Sequence, residues 1–206
     1  AEPMLVGAYG DPNQPRPKFA TDGKGMLRLA GGVTVRHVAF TDLHAYANQR
    51  DPDSPDFAGG RTDEWGIKWW GKAEDVLFEG LLIEFFSHNM CVTADRVGDT
   101  RDITLRRCVL RYGYLPKDIS WTQGLWSKRI IGLTLDQNVF HHNGFEPRVR
   151  KAERIGYNHH AYLVDNLDVR IVGNIFARES FLALKIRSDG ADKSRNITIR
   201  DNLFVD

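Results

Sequence analysis

Apolar and polar residues alternate in short runs along most of the chain, and a sustained helical period is hard to find anywhere. Six eight-residue segments can be laid over one another: VTVRHVAF from Val33, VLFEGLLI from Val76, ITLRRCVL from Ile103, LTLDQNVF from Leu133, VRIVGNIF from Val169 and ITIRDNLF from Ile197. Each opens apolar–x–apolar, turns at its fourth to sixth residues and closes on a large apolar residue. The closing position reads Phe40, Ile83, Leu110, Phe140, Phe176, Phe204, and the sixth reads Val38, Leu81, Cys108, Asn138, Asn174, Asn202. The segments are unevenly spaced, as in a solenoid whose coils keep register while insertions leave from the turns. The pattern predicts an all-β chain of about six stacked coils, with parallel strands about 4.8 Å apart, in one domain spanning 1–206. The closing residues are expected inside. Asn138, Asn174 and Asn202 are expected to form an internal ladder at a tight bend, each amide bonding its neighbours.

Composition narrows the picture. With 206 residues, 42% hydrophobic and 27% charged, the chain has the make-up of a globular domain. A net charge of +1 excludes a global polyanion-binding charge, though not a local basic patch. No run approaches 18 apolar residues, so no membrane-spanning helix is expected, and the opening residues do not read as a signal peptide. Two cysteines, Cys91 and Cys108, read as buried free thiols rather than a disulfide framework.

Repeats such as NITIRDNLFVD, the asparagine ladder and the opening MLVGAYGDPNQPRPKF resemble the right-handed parallel β-helix proteins of the pectate-lyase-like superfamily. The resemblance covers nearly the whole chain. It implies that the 206 residues are part of a longer helix, because such helices carry a capped end before this point and further coils after it. It also implies a secreted or periplasmic enzyme acting on an acidic, uronic-acid-containing polysaccharide, either a lyase working by β-elimination or a C5-epimerase.

Solenoid insertions project from one face and carry function. The first, from about Ala45 to Glu74, holds Trp65, Trp69 and Trp70, which read either as sugar-stacking platforms or as packing. The second, near 112–128, holds Tyr112, Tyr114, Trp121 and Trp126 with Lys117 and Lys128, and poses the same alternatives. The third, FHHNGFEPRVRKAERIGYNHHAYLV, concentrates His141, His142, His159 and His160 beside Arg148, Arg150, Lys151 and Arg154. ALKIRSDG follows on the next coil.

Read as strands, His160 and Tyr162 alternate to one face, and Lys185 and Arg187 do likewise. Moving the proton beside a uronate carboxylate needs a cation to neutralise the developing enolate, together with a base and an acid. His160 or His159 would move the C5 proton, Tyr162 or Tyr157 would be the partner acid, and Lys185 or Arg187 the neutraliser. The substrate would be held by His142, Asn143, Arg148, Arg150, Lys151, Arg154, His88 and Trp69. His88 and Asn89, with Thr93 and Asp95, would extend the groove. The Asp-Pro-His signature of some related enzymes is absent, so the choice between lyase and epimerase stays open.

No metal site is read. The histidine pairs are adjacent rather than spaced as zinc ligands, and no EF-hand-like carboxylate cluster appears, although calcium is compatible with anionic-sugar chemistry on this fold. No nucleotide loop or nucleic-acid partner is indicated. Two rivals are a glycoside hydrolase, whose polygalacturonase-like signatures are missing, and a non-catalytic carbohydrate-binding or tailspike-type segment.

Overall fold

Runs of three to eight residues stack as strands into three parallel sheets in the computed structural model, which describes residues 2–11, 13–21, 24–30, 32–59, 64–115, 121–149, 157–190 and 193–206. The first sheet joins Met4–Gly7, Thr34–Thr41, Lys72–Glu79, Thr100–Arg106, Ile130–Asp136, Leu167–Val172 and Arg195–Arg200 in chain order. The second joins Lys18–Ala20, His44–Tyr46, Leu82–Glu84, Val109–Arg111, Val139–His141, Ile175–Ala177 and Leu203–Val205. The third joins Leu27–Leu29, Trp65–Trp70, His88–Thr93, Gln123–Lys128, His159–Val164 and Leu182–Arg187. Each strand is bonded to the third strand before or after it along the chain. This arrangement is compatible with a parallel β-helix. Among the described residues there is no α-helix.

The expected ladders are present, with one slip of register. Ile83, Leu110, Phe140, Phe176 and Phe204 are successive partners in the second sheet. Phe140 stacks on Phe176 at 4.9 Å, and Phe176 on Phe204 at 5.1 Å. Phe204 departs from the expected interior placement: it is 52% exposed, because among the described residues no strand pairs with its far side. Phe40 belongs elsewhere: it pairs with Phe78 in the first sheet, so the true counterpart of Ile83 is Ala45. The cause lies in the strand Thr34–Thr41, which alternates apolar residues on both sides of a left-handed bend at His37, φ 54°. Either half fits the template. The opening stretch is also part of the sheets, since Met4–Gly7 pairs with Val38–Thr41 and Lys18–Ala20 with His44–Tyr46.

The asparagine ladder forms as expected. Asn138 Nδ2 donates to Asn174 Oδ1 at 2.9 Å, and Asn174 Nδ2 to Asn202 Oδ1 at 2.9 Å. Cys108 takes the preceding rung, its amide donating to Asn138 Oδ1 at 2.9 Å. Both cysteines are free and buried, and burial pushes each thiol up to about 12.

A further set of corners matters for the site. Two residues after Ile83, Leu110, Phe140 and Phe176 the chain turns through left-handed backbone, at Phe85, Tyr112, His142 and Arg178, with φ of 68°, 53°, 48° and 56°. None is Gly, Asn or Asp, the residues that adopt this conformation at least cost.

Candidate functional site

Side chains on the outer face of the third sheet fall into rows because successive strands share one register. One row reads Arg28, Lys68, Cys91, Trp126, Tyr162, Lys185. The next reads Trp70, Thr93, Lys128, Val164, Arg187. Tyr162, Lys185 and Arg187 therefore come together, as the alternation predicts. Lys185 Nζ sits 4.9 Å from the Tyr162 ring centre, and an Arg187 terminal nitrogen donates to the Tyr162 hydroxyl at 3.4 Å. That bond holds the Arg187 guanidinium above its ordinary pKa, with Asp189 adding to the effect.

The same face continues as an aromatic and cationic strip. Trp65 stacks on His88 at 4.3 Å and lies 6.0 Å from both Trp70 and Trp126. Lys68 Nζ lies 4.5 Å from the Trp65 ring centre and 4.2 Å from that of Trp70. Trp70 Nε1 donates to Cys91 Sγ at 3.2 Å, which shields the thiol. Trp69, expected as a sugar platform, is core instead. It is 2% exposed and meets Phe40 and Phe78 edge-on, because alternation along Trp65–Trp70 turns it inward.

The histidines divide. His160 does not share the outer face with Tyr162. It is fully buried between Phe140 and Phe176, its ring centre 6.4 and 6.3 Å from theirs, and its Nδ1 accepts from Asn143 Nδ2 at 3.0 Å. Burial takes its pKa down to about 3. The strict two-residue period fails here because Ala161 and Leu163, not His160, continue the inward rows. His159 is in register with the outer residues Trp65, His88 and Gln123, and its ring lies 5.0 Å from that of Tyr162. It too is sealed from solvent, and burial followed by the Lys185 charge lowers it to about 4. An exposed histidine base beside Lys185 is therefore absent among the described residues. Tyr157 is exposed but packs on Trp121 at 5.6 Å rather than joining Tyr162.

Asn143, expected to touch substrate, is a wholly buried strut. It accepts from Asn89 Nδ2 at 2.8 Å and from the Gly113 amide at 3.1 Å, and donates to the Leu110 carbonyl at 2.9 Å. Its closeness also explains Gly124, where a Cβ would stand 2.8 Å from Asn143 Nδ2 and 2.5 Å from the His160 carbonyl. Asn89 is buried with it, and His88 is 7% exposed beneath Trp65, so this pair supports the face more than it extends a groove.

His142 and Arg148 line another place: a cavity of about 500 Å³ at the edge of the second sheet, whose walls include none of Tyr162, Lys185 and Arg187. Arg148 bridges Glu146, at 2.7 Å, and Asp53. The expected substrate contacts Arg150, Lys151 and Arg154 lie outside the described residues, as does Lys117.

Sequence reasoning missed the carboxylates of this cavity and two of its cations, Arg111 and Arg178. Glu84 accepts from His44 Nε2 at 2.8 Å and Arg111 Nε at 2.6 Å. Burial opposes its ionisation, but those two bonds outweigh it and hold the carboxyl below its ordinary range. The signal was available: Glu84, Arg111 and His141 each follow a closing apolar residue by one, and Phe85, Tyr112, His142 and Arg178 by two.

No group of three or more histidine, cysteine or carboxylate residues that could hold a metal ion occurs among the described residues. No described helix is long and apolar enough to cross a membrane. Comparisons with protein-family models, curated proteins and solved structures gave no match.

Proposed function

We propose that the chain is a right-handed parallel β-helix of the pectate-lyase-like kind and an enzyme acting on a uronic-acid-containing polysaccharide, with the outer face of the third sheet as its working surface. The observation that carries this reading is the Tyr162 hydroxyl bonded by Arg187 under the Lys185 ammonium, at one end of a strip of tryptophans and lysines. The strip suits an anionic polymer. Flat rings face sugar C–H surfaces, lysines face carboxylates, and one strand spacing of about 4.8 Å separates successive members of a row.

In this reading Arg187 and Lys185 neutralise the uronate carboxylate as negative charge spreads from C5. Tyr162, reacting as its phenolate, accepts the C5 proton, the C–H electron pair becomes the C4–C5 double bond, and the C4–oxygen bond breaks as Tyr162 passes that same proton to the departing oxygen. Returning a proton to the opposite face of C5 instead gives epimerisation. Such a polymer lies outside the cytoplasm, which makes the enzyme secreted or periplasmic. The buried, neutral His159 supports the Tyr162 ring.

A glycoside hydrolase fits less well. It needs a protonated carboxylic acid beside the bond, and Glu84, the carboxyl with the most evident network, is held ionised.

The test is incubation with alginate, pectate and glycosaminoglycans in deuterated water. Rising ultraviolet absorbance of an unsaturated uronate supports the lyase, and deuterium at C5 without cleavage supports the epimerase. Saturable binding with neither outcome assigns the strip to a carbohydrate-binding segment and overturns the enzyme.

A further inference from the structure

The cavity at the edge of the second sheet has chemistry different from that of the third-sheet strip. We infer that it is a separate binding site for a small sugar acid, a mono- or disaccharide bearing one carboxylate, seated on Tyr112, His142 and Arg178. This goes beyond the proposed activity and stands whether or not the third-sheet face is catalytic.

Three observations carry it. The first is a repeated, costly geometry. Tyr112, His142 and Arg178 occupy the same left-handed corner on successive strands, with Tyr112 stacked on His142 at 5.4 Å and on Phe85 at 5.0 Å. Left-handed backbone is disfavoured at large non-glycine residues. The corner turns these side chains toward the cavity, of which all three are walls.

The second is spare hydrogen-bonding capacity. Asp51 accepts from the Tyr46 hydroxyl at 2.7 Å, Glu84 from His44 and Arg111, and Glu146 from Arg148. In contrast, Arg178 makes no ion pair among the described residues. The Tyr112 hydroxyl has no protein partner there, and His142 uses only Nδ1, at 2.9 Å from His141 Nδ1. A guanidinium fork, a phenol and a ring nitrogen thus remain for one oxyanion. His142 is neutral: burial, then the His141 and Arg178 charges, lower it to about 4.

The third is charge and size. Asp51, Asp53, Glu84 and Glu146 share the walls with Arg111, Arg148 and Arg178. Four carboxylates repel a polyanion, yet their remaining lone pairs accept sugar hydroxyls. A cavity of about 500 Å³ suits one or two sugar rings, within the range of roughly 300–1,000 Å³ usual for small-ligand sites. A polyhydroxylated monoanion meets both conditions.

The probes are sodium glucuronate, glucose and inorganic sulfate, each titrated calorimetrically into the whole chain. Glucuronate should bind saturably and at least tenfold more tightly than glucose or sulfate. Arg178→Gln, an exposed change whose folding is checked by thermal melt, should weaken glucuronate at least tenfold. Tyr112→Phe, which keeps the ring stack, should weaken it several-fold. Arg170→Gln, an exposed change on the first sheet away from both faces, should leave it unchanged. Absence of saturable glucuronate binding overturns the site. Sulfate binding as tightly as glucuronate overturns the sugar-acid assignment, and loss of binding in Arg187→Gln but not Arg178→Gln moves the ligand to the other face.

Discussion

The Tyr162 hydroxyl accepts a hydrogen bond from Arg187 across 3.4 Å, although 25 residues separate them in the chain. Parallel stacking makes this contact possible, since Tyr162 pairs with Lys185 and the neighbouring Val164 with Arg187. If the proposed chemistry is right, Tyr162→Phe should lower turnover on the selected uronan by about 10²–10⁴-fold while changing its KM little, the scale of a lost proton-transfer group. Steady-state kinetics on the uronan identified by the absorbance screen check this. Unchanged turnover would remove Tyr162 from the chemistry.

Arg187→Ala should depress kcat more than it raises KM, because the carboxylate charge it meets grows only toward the enolate. Arg187→Lys should recover part of the loss, as a point charge replaces the guanidinium fork. A pure KM effect would instead describe a binding residue.

Phe140→Ala should destabilise the fold by roughly 3–5 kcal/mol, since Phe140 is wholly buried and stacked on Phe176. Phe204→Ala should cost roughly half that or less, because Phe204 is half exposed and touches the ladder on one side. Denaturant titrations of the two variants give the comparison. Equal losses would contradict the ladder as described.

Asn174→Ala should cost roughly 2–4 kcal/mol, more than its size suggests, by leaving buried ladder partners unpaired. It accepts from the amide and side chain of Asn138 and donates to the Leu135 carbonyl and Asn202. A melt close to that of the parent would show that water replaces these bonds.

Acid should weaken the fold through its neutral histidines. His160 and His159 have folded pKa values of about 3 and about 4, below the 6.5 of a free imidazole. The unfolded chain therefore binds protons that the folded chain does not, and stability falls as pH drops below about 6.5, by up to roughly 2 kcal/mol per imidazole near pH 5. Urea midpoints measured across this range should fall with pH, and less steeply in His160→Asn. The same slope in that variant would discharge His160 as the source.

The alternation of apolar residues, the asparagine positions and the irregular insertions were enough to specify stacked parallel strands. The first two depend on local rules: a two-residue period marks a strand, and a small amide at a fixed turn position marks a ladder. Five of the six segments were in register, and only the strand around His37 admitted two alignments. The pairing of Tyr162, Lys185 and Arg187 was legible too, because register follows from matching rows. The orientation of His160 and Trp69 was not. His160 breaks the simple alternation while Trp69 obeys it, and only the packing of Phe140 and Phe176, or of Phe40 and Phe78, fixes which side is inside. The cavity of Tyr112, His142 and Arg178 likewise needed the tertiary structure. Its walls come from five stretches distant in sequence, and their meeting depends on how the loops fold back, which no local period encodes.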